Sequence, residues 1–159
     1  MKILTVDFET YYDREYSLSR MTVEEYIRSD KFEVIGVAVK EDDGETVWYD
    51  NKHMTESRFA KLYDWKNCLV LAHNTQFDGA ILSWRYGIKP KGWLDTLCMA
   101  RAVHGVEAGG SLKALAERYN IGAKGTEVLN AMGKRRNDFT QSEIDAYGEY
   151  CKNDVDLTY

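Results

Sequence analysis

The sequence predicts a mixed α/β fold: a central sheet that begins antiparallel and continues parallel, with helices on both faces. Three observations carry this. Apolar and β-branched runs at 2–9, 32–40 and 46–50 follow one another as strand and hairpin, before the first helical pattern. A continuous apolar run, CLVLA at 68–72, then stands between helical patterns, the mark of a buried strand in a β-α-β unit. The chain has 159 residues and 44% hydrophobic content, enough for one domain built on a single sizeable core.

The first strand runs from ILTV into VDFET (6–10), so a strand entering the core ends in two carboxylates, Asp7 and Glu9. FEVIGVAVK (32–40) and TVWYD (46–50) are the arms of a hairpin, with a turn signal at Asp43-Gly44. TESRFAKLYDWK (55–66) spaces Phe59, Leu62 and Tyr63 as a helix does, with Thr55 as its N-cap. QFDGAILSWRY (76–86) reads as a helix that stops at Gly87. GWLDT (92–96) reads as a short strand leading into the helix TLCMARAVHG. SLKALAERYN (111–120) puts Leu112, Leu115, Ala116 and Tyr119 on one stripe. Thr140 and Glu143 form a capping box, with Phe139 and Ile144 as a hydrophobic staple, so the last helix starts at Gln141 and runs to near Tyr159. It reaches Tyr159 without glycine, proline or a polar tail. The sequence is therefore expected to be the N-terminal part of a longer chain, and the last turn, which holds Asp154, to be frayed.

The net charge of −5 argues against binding duplex DNA by bulk electrostatics. No apolar run approaches a membrane span, and a carboxylate at position 7 comes too early for a secretory signal, so a cytoplasmic protein with no membrane partner is expected. Cys68, Cys98 and Cys151 are scattered, which points to reduced thiols rather than a disulfide frame or a zinc site.

Three acidic motifs stand out. Side chains two apart on a strand share a face, so Asp7 and Glu9 lie together, opposite Leu4, Val6 and Phe8. Two like charges held close resist ionising unless something positive sits between them. In AHNTQFDGAIL, Asn74 ends the loop after a buried strand and Asp78 falls in the first turn of the next helix, where strands end and ligands bind in open α/β sheets. In YCKND (150–154), Tyr150 and Asp154 are four apart on the last helix and share a face. Taken singly, each motif also has a structural explanation: a solvent-facing strand end, a helix cap, a core tyrosine.

Together, DFET, NTQFD and YCKNDV resemble the DEDD superfamily of 3′–5′ exonucleases, tyrosine subclass, since the position of the alternative histidine is Glu149. The resemblance spans the whole chain, including LDTL at 94–97, and the stretch from 124 to 159 is similar to the proofreading domain of phage-type family A DNA polymerases. It implies an RNase H-like fold and a single exonuclease domain over 1–159, followed by a polymerase domain in the same chain, in a bacterial cell or phage-infected host. It implies two divalent ions, Mg2+ or Mn2+, with Asp7 bridging, Glu9 and Asp154 completing one site and Asp78 holding the other. Tyr150 would orient the attacking water. Thr10, Asn74 and Phe77 would lie against a single-stranded or frayed DNA 3′ end. Tyr11 and Tyr12 would stack on bases or simply pack, and Lys134, Arg135 and Arg136 would meet phosphates or solvent. Asp95 is expected to cap a helix. The alternatives are a stand-alone RNA-processing or DNA-repair exonuclease, and a non-catalytic binding module on the same fold.

Overall fold

A computed structural model of the chain describes residues 1–125 and 130–159. Residues 126–129, inside the stretch that carries part of the resemblance, lie outside the described residues. The strands are β1 (Lys2–Thr10), β2 (Val34–Glu41), β3 (Val47–Asp50), β4 (Cys68–Ala72) and β5 (Gly92–Asp95), in sheet order β3-β2-β1-β4-β5. β1, β2 and β3 pair antiparallel, and β1, β4 and β5 pair parallel, as expected from the sequence. The helices are α1 (Val23–Arg28), α2 (Glu56–Phe59), α3 (Thr75–Trp84), α4 (Thr96–His104), α5 (Leu112–Tyr119) and α6 (Gln141–Thr158). No helix among the described residues is long and apolar enough to cross a membrane.

The two faces of the sheet carry separate cores. On one, Leu4, Val6 and Phe8 of β1 pack with Val37, Val39 and Val70, and with Tyr26, Ile27, Ile81 and Leu82 from α1 and α3. On the other, Ala38 meets Cys151 and Val155 of α6, and Ile35 meets Ile144 and Tyr147. A β-bulge joins the two patterns. Glu9 pairs with Gly36 but Thr10 with Val34, so Ile35 is an extra residue. It lets Ile35 and Gly36 both serve the α6 face while Val34 returns to the opposite core.

α6 lies flat on its face because small residues admit a large one. A Cβ on Gly36 would come within 2.3 Å of the Trp48 ring, and one on Gly148 within 2.7 Å of it. Trp48 is thus held between β2 and α6. The start of α6 carries the expected capping box: Thr140 Oγ1 accepts from the Glu143 N–H at 3.3 Å, and Glu143 Oε2 accepts from the Thr140 N–H at 2.8 Å. Its end is anchored rather than frayed. Asp156 accepts from Lys40 Nζ at 3.0 Å and from Thr46 Oγ1 at 2.5 Å, and Val155 is fully buried.

Two expectations about the helices are corrected, and one helix is added. The helix expected over 55–66 is only α2, four residues long, followed by turns and a 3-10 segment, Trp65–Asn67. Packing overrides the helical spacing here. Trp65 turns back onto Phe59 and Tyr63, with ring centroids 5.5 and 5.3 Å apart, and Leu62 is left exposed. Tyr119 is exposed and lies off the buried stripe of α5. α1 was not foreseen, although Thr22 and Glu25 spell the same capping box that marks α6.

Each member of the basic cluster is ion-paired within the fold, and only Arg136 is buried. Arg136 is buried and forms a two-pronged ion pair with Asp50, Arg135 pairs with Glu33 at 2.6 Å, and Lys134 with Glu143 at 2.6 Å. Arg135 also stacks over Tyr11, 4.2 Å from the ring centroid. These pairs tie the segment before α6 to the residue preceding β2, to β3 and to α6 itself.

Two predictions follow from this packing. Arg136→Ala leaves Asp50 charged in a largely buried place and should cost about 3–5 kcal/mol in urea unfolding, while Lys134→Ala, at a more exposed pair, should cost below about 1 kcal/mol; equal costs would contradict the clamp. Gly148→Ala forces α6 off Trp48 and should cost about 1–3 kcal/mol, read in the same unfolding experiment; a neutral substitution would show that Trp48 does not set the helix position.

Candidate active site

The site forms where β1 outruns its neighbour. β4 pairs with β1 only from Lys2 to Thr5, so beyond Thr5 that side of β1 has no strand partner. The Phe8 N–H donates instead to Asp78 Oδ1 at 3.0 Å, which fixes Asp78, 3% exposed, against the strand end. On the α6 face, the Cys151 thiol donates to Asp7, reaching the main-chain oxygen and Oδ2 at 3.3 Å each. Ligand atoms of Asp7, Glu9 and Cys151 all lie within 4.8 Å of one another. Asp154, one turn further along α6, is 5% exposed. Its Oδ2 pairs with Lys124 Nζ at 2.7 Å, and its Oδ1 is buried without a hydrogen-bond partner.

The four carboxylates expected from the sequence are therefore electrically one group. Burial, then the Asp154 charge, pushes Asp7 up to about 6. Burial and the Asp7 charge raise Glu9 well above the carboxylate range, against a hydrogen bond from Tyr147. Burial and the Asp7 charge also raise Asp78, and the Phe8 N–H only partly offsets them. Tyr150 is half-buried, and its phenol is pushed upward by burial and by Asp154, so it keeps its proton at neutral pH.

This donor set fits a hard divalent cation. Carboxylate oxygens dominate, a buried oxygen lacks a partner, and the charges repel without a counter-ion. Asp7, Glu9, Asp78 and Asp154 are the residues that would hold such ions.

The other expected residues are placed differently. Thr10 turns inward, its hydroxyl 2.8 Å from the Tyr26 hydroxyl. Asn74 is exposed at the start of α3 in the left-handed region, φ 69°, and its side chain caps nothing. Phe77 is half-buried beside Tyr26, with centroids 6.0 Å apart. Tyr11 and Tyr12 pack partly buried beside the α6 core, and the Tyr11 hydroxyl donates to Asp13 at 2.8 Å. Asp95 is a cap, for two helices at once. It accepts from Asn74 and Thr75 at the start of α3, and from Leu97 and Cys98 at the start of α4. Sequence reasoning missed Lys124, Tyr147 and Cys151 as neighbours of the cluster. Cys151 and Tyr147 precede Asp154 by three and seven residues, which is helical spacing and was the available signal. Nothing local marks Lys124.

Residues 22–159 match the 3′–5′ exonuclease family, and the chain belongs to it. Asp7 and Glu9 precede the matched stretch. No curated protein matches the sequence. Among solved structures, Trypanosoma brucei RNase D in complex with RNA U12 is similar at a TM-score of 0.71 and 17% identity, covering 98% of this chain and 52% of that one. Brucella melitensis NrnC bound to pGG is similar at 0.68 and 15% identity, covering 98% and 67%. NrnC with bound Mg2+ gives 0.66 and 15%, covering 98% and 67%. The chain thus spans about half of that RNase D, and at these identities the likeness is one of fold, the RNase H-like nuclease architecture.

The titration of Asp7 has a definite sign. A raised carboxylate holds its proton more tightly in the fold than in the unfolded chain. That contribution to stability is complete below a pH of about 4 and is lost as the pH rises through about 6. Asp7→Asn cannot ionise. In EDTA it should melt above the wild type at a pH of about 7, and the gap should shrink toward a pH of about 4; a gap that does not depend on pH would show that Asp7 is not repelled in the fold.

Proposed function

We propose that this domain removes nucleotides one at a time from the 3′ end of a single-stranded or frayed DNA strand, releasing 5′-mononucleotides, as a tyrosine-subclass exonuclease. The observation that carries the reading is the buried, partnerless Oδ1 of Asp154 within a group of four mutually repelling carboxylates. Two ions, Mg2+ or Mn2+, would be held by Asp7, Glu9, Asp78 and Asp154. When bound, such ions acidify water and neutralise the charge that develops on a phosphodiester.

The chain's own residues do the rest. Asp7 and Glu9 are held at the end of a strand whose main chain is fixed on both sides, by β2 and by Asp78. Tyr150 keeps its proton, so its hydroxyl orients a nucleophile by hydrogen bonding and does not act as a base. A site recessed between a strand end and two helices favours one strand over a duplex, and a mismatched end unpairs at lower cost. That supports a proofreading role, in a bacterial or phage-infected cell, beside a polymerase domain in the same polypeptide, as the likeness of the motifs to polymerase exonuclease domains suggests.

A second reading has support of its own. One structural relative is an RNase D solved with RNA, another a nuclease solved with pGG. An RNA 3′ end is therefore the competing substrate.

The test is a 5′-labelled DNA oligonucleotide beside its RNA counterpart, each with Mg2+, Mn2+ or EDTA. We expect a ladder shortening from the 3′ end of DNA, absent in EDTA and in Asp7→Ala, and slowed about tenfold to a hundredfold in Tyr150→Phe. Degradation of RNA alone would move the assignment to the second reading. Intact DNA and RNA under every condition would leave a non-catalytic module.

A further inference from the structure

We infer that Lys124 is a positioning residue for the metal site: it grips one oxygen of Asp154 so that the other is presented to the carboxylate cluster. The inference rests on the metal-site reading above and adds a residue outside the carboxylate set.

The two oxygens of Asp154 are used unequally. Oδ2 takes the Lys124 ammonium at 2.7 Å, and Oδ1 is buried with no partner. A carboxylate on a helix rotates about its last side-chain bond unless something holds it. Lys124 supplies that hold from outside the helix, on the loop between α5 and α6. Its own side chain is 29% exposed and that of Asp154 is 7% exposed, so the pair is largely shielded from water. Hydrogen-bonded partners of this kind set the direction of metal-binding carboxylates.

The same loop touches the other functional side chain of α6. Lys124 Nζ lies 5.6 Å from the centre of the Tyr150 ring, and a Cβ on Gly125 would fall 3.1 Å from that ring. The loop therefore sits on both Tyr150 and Asp154. Lys124 is also the one cation, among the described residues, whose charge bears on Asp7 and Glu9 as well as on Asp154. The alternative is a counter-ion that fills the cluster and must leave when metal enters. That role would be served by a lysine reaching the middle of the cluster, whereas Lys124 takes only one oxygen of the carboxylate nearest its loop and leaves the other free.

Mn2+ titration by calorimetry separates the two roles. Lys124→Ala should bind Mn2+ about 10- to 100-fold more weakly than the wild type, and Lys124→Arg should recover most of the loss. Affinity in Lys124→Ala equal to or tighter than wild type would overturn the inference, the tighter result identifying a displaced counter-ion. No Mn2+ binding by the wild type would instead overturn the metal-site reading itself. Should Lys124→Ala fail to fold, the unsubstituted protein still answers. Acetylation of Lys124, followed by mass spectrometry with and without Mn2+, should not speed up when metal is added, because the pair persists. Faster acetylation with Mn2+ would show that the ammonium is expelled, and would overturn the proposal.

Discussion

Repulsion among four clustered carboxylates, Asp78 and Asp154 buried and Asp7 and Glu9 half-buried, is the constraint around which this molecule is arranged. Asp7, Glu9, Asp78 and Asp154 come from a strand and two helices that are far apart in the chain, and Asp7, Glu9 and Asp78 are each raised by the charge of another member. Like charges in a poorly solvated place drive their carriers apart, so the carriers must be held by contacts that do not depend on the charges. α3 is pinned by the Phe8 N–H and by the double cap at Asp95. α6 is pinned by its capping box at one end, by Asp156 on Lys40 and Thr46 at the other, and by Trp48 in between.

The sheet makes the space for this. β1 lies between an antiparallel neighbour and a parallel one, and only the antiparallel neighbour follows it to its end. The free side of the strand is where a helix N-terminus can bring a carboxylate to the main chain. The bulge at Ile35 sits opposite Glu9 and Thr10, at the level where the carboxylates of β1 stop and Thr10 turns into the other core. Irregularity in the ladder and change of side-chain role coincide there.

Charge is distributed unevenly over this acidic chain. The arginines and the lysine before α6 are spent on Glu33, Asp50 and Glu143, where they join the last helix to the sheet. Their charges are matched by acids of the fold, although Arg135 keeps 43% of its side chain exposed. Divalent cations held by the carboxylates would bring a concentrated positive charge to one place and leave the net charge of the protein low.

Much of this was legible in the amino-acid order. Strand runs, the DG turn, the capping box of α6 and the spacing of DFET, NTQFD and YCKND depend on neighbours within a few residues, and such local rules survive folding. They predicted an antiparallel start and a parallel continuation, though not the order of the strands, and marked the four carboxylates and Tyr150 as candidates. What they misjudged was governed by contacts between distant residues. The helix expected at 55–66 gave way to aromatic packing of Trp65 on Phe59, and the basic run at 134–136 was claimed by Glu33, Asp50 and Glu143. The partnership of Lys124 with Asp154, the thiol of Cys151 on Asp7 and the seat of Trp48 between two glycines have no signature along the chain, because each is an encounter across the folded molecule. Sequence alone marked the four carboxylates and the tyrosine as candidates; the tertiary structure decided how they are held, since a side chain's partner is set by what lies near it in space.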